Sequence, residues 1–240
     1  MAERKEEKRM NEMLSESVYF GIVISLLFYW IALTISKKVK STICNPLLIS
    51  AIFIVIVLVV FQIDYDTYNY GAQYLTYFLT PATVCLAVPL YRQIQVLKKN
   101  IVAILLSIGA GCAANAMVIG VLTISFQFSP ELKAALIPKS LTTAIAIGVS
   151  EELGGTTSVT VMSVVITGIL GATIASGLFK LLKIEEPVAQ GLACGTASHA
   201  IGTSKAIQLG EIQGAMSSLA IVVTGIITVV IAPMIMKLIG

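Results

Sequence analysis

Gly195-Thr196-Ala197-Ser198-His199-Ala200-Ile201-Gly202-Thr203 lies inside a run without formal charge, Pro187 to Ser204. The run approaches the length of a bilayer crossing, about 20 residues. Its centre, however, is made of glycines and hydroxyls. Unwound backbone at membrane depth is tolerated only where protein or a watery cavity covers it. A second stretch, uncharged between Asp66 and Arg92, has the same character, and its middle reads Leu79-Thr80-Pro81-Ala82-Thr83. Interrupted apolar segments in corresponding places mark binding sites near the bilayer midplane. The pattern predicts two discontinuous helices.

Composition agrees with a membrane setting. The 240 residues are 57% hydrophobic and 12% charged, whereas a soluble domain carries about 25% charged residues. The fold class expected is an all-α polytopic membrane protein. The net charge of +3 says little about partners, because basic residues in such chains mainly set orientation. No basic patch with interleaved aromatics points to nucleic acid. Cys44, Cys85, Cys112 and Cys194 form no CxxC pair and read as small buried hydrophobes. With one histidine and no clustered carboxylates, neither a metal site nor a cofactor is expected. Residues 1–17 are a polar tail of mixed charge. The first apolar stretch, Val18 to Ser36, runs into Lys37-Lys38-Val39-Lys40 rather than a small-residue cleavage site. It reads as an uncleaved first helix, not a signal peptide.

Apolar segments at about 18–36, 45–63, 72–91, 101–128, 132–150, 157–179, 187–208 and 212–237 predict seven or eight membrane segments in one transmembrane domain, residues 18–240. The trios within 45–128 and 157–239 have similar layouts, which suggests an internal repeat. Lys37, Lys38 and Lys40 form one basic loop, Arg92, Lys98 and Lys99 a second, and Lys180 and Lys183 a third. The positive-inside rule places all three in the cytoplasm if 132–150 enters and returns on the outer side. The same choice makes the repeat inverted. A full crossing by 132–150 removes both arguments together.

Three motifs are candidates for a site. Thr80 can cap a half-helix that starts at Pro81. The N-terminus of that half-helix, with the Thr80 and Thr83 hydroxyls around Ala82, suits an anion such as a carboxylate. The plain alternative is a proline-kinked helix. In the second motif, Gly195 and Gly202 permit unwinding, and Thr196, Ser198 and Thr203 supply hydroxyls. His199 is the only histidine. An ionisable group inside a membrane segment is a functional hypothesis by default, and imidazole can carry a coupling proton near neutral pH. The alternative is a buried neutral ring bonded to a carbonyl of another helix. The third motif, Pro138-Lys139-Ser140-Leu141-Thr142-Thr143, holds a lysine that either snorkels to the interface or fixes positive charge for an anion. Catalysis is not expected: Ser198 and His199 are neighbours that point in different directions on a helix, and a nucleophile needs its base within hydrogen-bond reach.

At these motifs the chain resembles the LrgB/CidB family of bacterial membrane proteins. The likeness is carried by Tyr19-Phe20-Gly21-Ile22, by Leu79-Thr80-Pro81-Ala82-Thr83-Val84, by Thr142-Thr143-Ala144-Ile145-Ala146, by Gly195 to Gly202, and by Ala215-Met216-Ser217-Ser218-Leu219-Ala220. It extends from about residue 18 to the C-terminus. The resemblance implies a multi-pass protein of the bacterial cell membrane. It also implies one of two roles. One is antiholin-like modulation of murein hydrolase activity and lysis, with a smaller LrgA/CidA-type partner. The other is transport of small monocarboxylates such as pyruvate or glycolate, as in the related plastid glycolate/glycerate transporter. A homo-oligomer remains open. Thr80 stands where a Glu precedes Pro-Ala-Thr in some relatives, and Lys139-Ser140 where Gln-Ala is familiar. The first change removes a carboxylate and the second adds a positive charge. Neither is unfavourable to an anion, so a small carboxylate is the expected ligand.

Overall fold

The computed structural model describes residues 17–39, 46–78, 81, 84–85 and 87–239. Among them the chain is all helical, with ten α-helices, one 3-10 turn and no strand. They fall into two compact units, residues 1–85 and 86–240.

The first unit contains α1 (Val18–Val39), α2 (Pro46–Val60), α3 (Tyr65–Ala72) and a 3-10 turn, Gln73–Phe78. At 1.5 Å per residue α1 is about 33 Å long, enough to span. The crossing of α1 over α3 depends on two glycines. A Cβ on Gly21 would fall on the Tyr68 carbonyl oxygen and the Ala72 amide nitrogen, and one on Gly71 would fall on the Val18 carbonyl oxygen. Small residues let membrane helices approach backbone to backbone. Ser25 secures the crossing: its hydroxyl donates to the Gly21 carbonyl at 2.7 Å and meets the Tyr68 hydroxyl at 2.8 Å. Phe28 of α1 and Phe53 of α2 pair at 5.8 Å between ring centroids.

The second unit contains α4 (Ala87–Arg92), α5 (Ile94–Phe126), α6 (Pro130–Leu136), α7 (Thr143–Glu152), α8 (Thr157–Leu181), α9 (Pro187–Leu209) and α10 (Glu211–Ile239). The most extensive packing is between α9 and α10. Helix α8 also packs on α9, and α5 packs on both α9 and α10. Gly191 and Gly195, one turn apart, make the α9–α10 contact possible. A Cβ on Gly195 would fall on the Ser217 carbonyl, and one on Gly191 on the Gln213 carbonyl. Ile104, Ile108, Leu192 and Met216 fill the core where α5, α9 and α10 meet. Ser129 caps α6 by accepting from the Leu132 amide at 3.4 Å, with Pro130 in the first turn.

Four described helices have both the length and the apolarity for a full crossing: α1, α5 from Lys98, α8 and α10. The other expected segments are built differently. Helix α2 has 15 residues, short of the usual 20. The segment expected at 132–150 is two short helices, α6 and α7, with residues 137–142 unwound between them. Neither half is long enough to span. The stretch from Arg92 to Asn100, expected as a connection, is mostly helical. Residues 94–100 form the first part of α5, set off by a bend at Asn100 (φ −117°, ψ 16°), whose side-chain amide donates to the Val96 carbonyl at 3.0 Å. Asn bonds readily to nearby backbone in this way and so disturbs the helix ladder.

Candidate functional site

Helix α9 bends sharply at two residues. Ser198 has φ −134°, ψ 18° and His199 has φ 41°, ψ −135°. The rest of the 195–203 window stays helical, so the interruption is narrower than the glycines and hydroxyls suggest. Residues eight apart in a straight helix are about 12 Å apart. Here a Cβ on Gly202 would fall on the Cys194 carbonyl. The chain therefore doubles back closely enough that only glycine fits there. His199 occupies a region that L-residues with a side chain rarely adopt, at a cost of roughly 1–3 kcal/mol.

Its surroundings hold it in place. His199 and Ser198 are 4% and 2% exposed. The ring Nε2 lies 3.0 Å from the Val164 carbonyl of α8. A carbonyl only accepts, so Nε2 carries the proton in this contact. Gly168 and Gly171 make room for the bend: a Cβ on Gly168 would meet the imidazole at 2.7 Å, and one on Gly171 would fall on the Ser198 hydroxyl. On the other side, the Thr203 hydroxyl bonds the His199 carbonyl at 3.1 Å and the Ser217 hydroxyl at 2.7 Å.

A cavity of about 480 Å³ opens between α5, α9 and the unwound link 137–142. Its volume is within the range of small-ligand sites. Ser107, Gly111 and Asn115 line it from α5, Leu192 and Thr196 from α9, and Lys139 from the link. No carboxylate lines it among the described residues. The Lys139 ammonium donates to the Ser140 hydroxyl at 3.4 Å, Ser140 donates to the Asn115 side-chain oxygen at 3.4 Å, and the Asn115 amide donates to the Ile137 carbonyl at 3.4 Å. The contacts are long, but together they tie the lysine to α5 and to its own link. Behind the cavity a chamber of about 10 Å³ shares Gly111, Asn115 and Thr196 with it and adds Ser140 and Thr224.

The residues singled out from sequence thus divide. Lys139 and Thr196 line the cavity, and Ser140 lies one hydrogen bond behind. His199 and Ser198 do not line it; they pack against α8. Gly195 packs on α10, and Thr203 braces the bend. Thr142 stands at the N-cap position of α7 without a side-chain cap bond, and Thr143 begins that helix. Pro81 is in the first unit and exposed. Thr80, Ala82 and Thr83 lie outside the described residues. Asn115 and the α8 glycines Gly168 and Gly171 were not anticipated. A lone amide in the middle of an uncharged segment marked Asn115. The Gly191–Gly195 spacing likewise marked the α9–α10 contact.

These features define a multi-pass, all-α membrane protein with a cavity between its helices that one lysine lines. The LrgB-like family model matches residues 25–238, and the chain belongs to that family. It is 34% identical over 223 residues to the Antiholin-like protein LrgB of Bacillus mycoides (strain KBAB4), covering 92% of this chain and 97% of the relative. The same figures hold for the proteins of that name from Bacillus cereus (strain B4264) and Bacillus anthracis (strain CDC 684 / NRRL 3495). No solved structure matches.

Proposed function

We propose an antiholin-like role for this chain: a regulator of murein hydrolase activity and lysis in the bacterial membrane, acting with a small partner of LrgA/CidA type. The relationship to proteins named antiholin-like, across nearly the whole of both chains, supports this reading.

The cavity supports a second, molecular reading, transport of a small monocarboxylate such as pyruvate or glycolate. One observation carries it: Lys139 faces a 480 Å³ cavity whose lining contains no acidic side chain. A half-buried charge favours a counter-charge, and a bound carboxylate would supply one. In this reading His199 is the proton-coupling candidate. Its Nε2–H is engaged by Val164, so Nδ1 would receive the proton.

Uptake into liposomes by the purified chain, with and without the partner, separates the readings. Transport predicts saturable pyruvate or lactate uptake, with inhibition by lactate and not by neutral lactamide. Equal inhibition by the two, or no uptake in either preparation, would leave the regulatory reading alone. A lysis assay with the gene removed tests that reading directly.

A further inference from the structure

We propose that the chamber behind the cavity is a binding site for a single water, held between α5, α9 and α10, and that this water braces the residues carrying Lys139. The observation is a pair of under-satisfied hydroxyls. Thr196 and Thr224 are buried at 9% and 3% exposure; the Thr196 oxygen has no hydrogen-bond partner among the described residues, and the Thr224 oxygen has at most the Cys112 thiol beside it, a weak donor. Both line the same chamber. Buried hydroxyls are almost always satisfied by protein or by ordered water. Here Ser140 and the Asn115 amide border the space as well.

Size and charge select the occupant. About 10 Å³ is close to the room one water needs, and a buried water normally makes two to four hydrogen bonds. Thr196 from α9, Thr224 from α10, and Ser140 or Asn115 provide that number from three directions. A carboxylate is too large. A bare cation would meet the field of the Lys139 ammonium, which is one hydroxyl away through Ser140, with no acidic group in the lining to offset it. Water fits both limits, because it can accept from one hydroxyl and donate to another.

The position gives the water a consequence. Ser140 and Asn115 support Lys139 through contacts of 3.4 Å, long for hydrogen bonds. A water at their rear would fix the hydroxyl and amide orientations and so hold the ammonium towards the cavity. Thr224 does not line the cavity, yet it would influence what binds there. This effect on anion affinity rests on the transport reading; the water site does not.

The test has two arms on the full-length protein in lipid nanodiscs. In a density map sharp enough to show other buried waters, a peak should stand within hydrogen-bond distance of the Thr196 and Thr224 hydroxyls. Absence of that peak overturns the site. In the second arm, lactate affinity is compared among wild type, Thr224→Val and Thr224→Ser. Valine keeps the volume and removes the hydroxyl, so affinity should fall about five- to tenfold, the effect of roughly one hydrogen bond. Serine should stay within about twofold of wild type. Equal affinity for wild type and Thr224→Val overturns the bracing role. If wild type binds no lactate, the anion reading fails while the map still decides the water. If Thr224→Val does not fold, Thr224→Ala takes its place, with the same expected drop.

Discussion

Two of the interruptions in the second unit's helices differ in kind. The link 137–142 is six residues of unwound chain between two short helices. None of its residues has a positive φ, and it presents Lys139 to a cavity. The bend in α9 takes only two residues, but one of them, His199, sits at φ 41°, and both are buried against neighbouring helices. The first has ordinary backbone angles and borders a cavity. The second is strained, fully packed, and bonded back to Val164. Local strain persists only where the surroundings over-determine it. In the transport reading proposed above, the link would carry the chemistry and the bend the shape.

The link side of that comparison is broken by removing charge. Lys139→Met keeps the length of the stem and deletes the ammonium. Hydrogen bonds to charged groups contribute about 1.5–3 kcal/mol, so affinity for lactate or pyruvate should fall about ten- to a hundredfold, with thermal stability unchanged or raised. Lys139→Arg should retain most of the binding. If the methionine variant binds as wild type does, the cavity is not an anion site.

The bend side is tested by filling space. At Gly171 a Cβ would fall on the Ser198 hydroxyl, whereas at Gly148 of α7 nothing lies within 4 Å. Gly171→Ala should lower stability in detergent by about 1–3 kcal/mol, the usual cost of overpacking. Gly148→Ala should be neutral or stabilising by up to about 1 kcal/mol, since alanine is the better helix former. Effects of the same sign at both positions would mean that α8 does not press on the bend.

How much of this could be read from the chain differs between the two interruptions. The membrane class and the long helices followed from apolar runs of sufficient length. The polar clusters at 138–143 and 195–203 were visible as well. Their geometry was not, because the same composition, glycine plus hydroxyls, serves both unwinding and close packing. Gly195 looked like a residue that frees the backbone, and it proves to be a contact surface for Ser217. Lys139 reads equally as a snorkelling side chain or as fixed charge, and the structure adds that it borders the cavity. His199 and Thr196 share a segment, and only the bend puts them on opposite sides. Asn115, distant in sequence, could join Lys139 only through the packing of α5 against the link.

The finest test asks whether His199 is present for its ring or in spite of its backbone. His199→Ala and His199→Gly both delete the imidazole and the bond to Val164. They differ in what the backbone costs. In an ordinary helix alanine is favoured over glycine by about 1 kcal/mol. At φ 41°, ψ −135° the alanine Cβ is strained by roughly 1–3 kcal/mol, which glycine avoids, while glycine loses about 0.4–1 kcal/mol through the freedom of its unfolded chain. The balance predicts His199→Gly to be the more stable variant by about 1 kcal/mol, read as a higher Tm. Alanine being the more stable would mean that the segment relaxes to a straight helix once the ring is gone, and that Val164 alone holds the bend. Transport then separates shape from proton chemistry. If both variants take up pyruvate normally between about pH 5.5 and about pH 8, the span over which a histidine titrates, the imidazole carries no coupling proton and the bend is purely architectural. If the glycine variant keeps the bend but loses only the pH dependence of uptake, the ring is the coupling group.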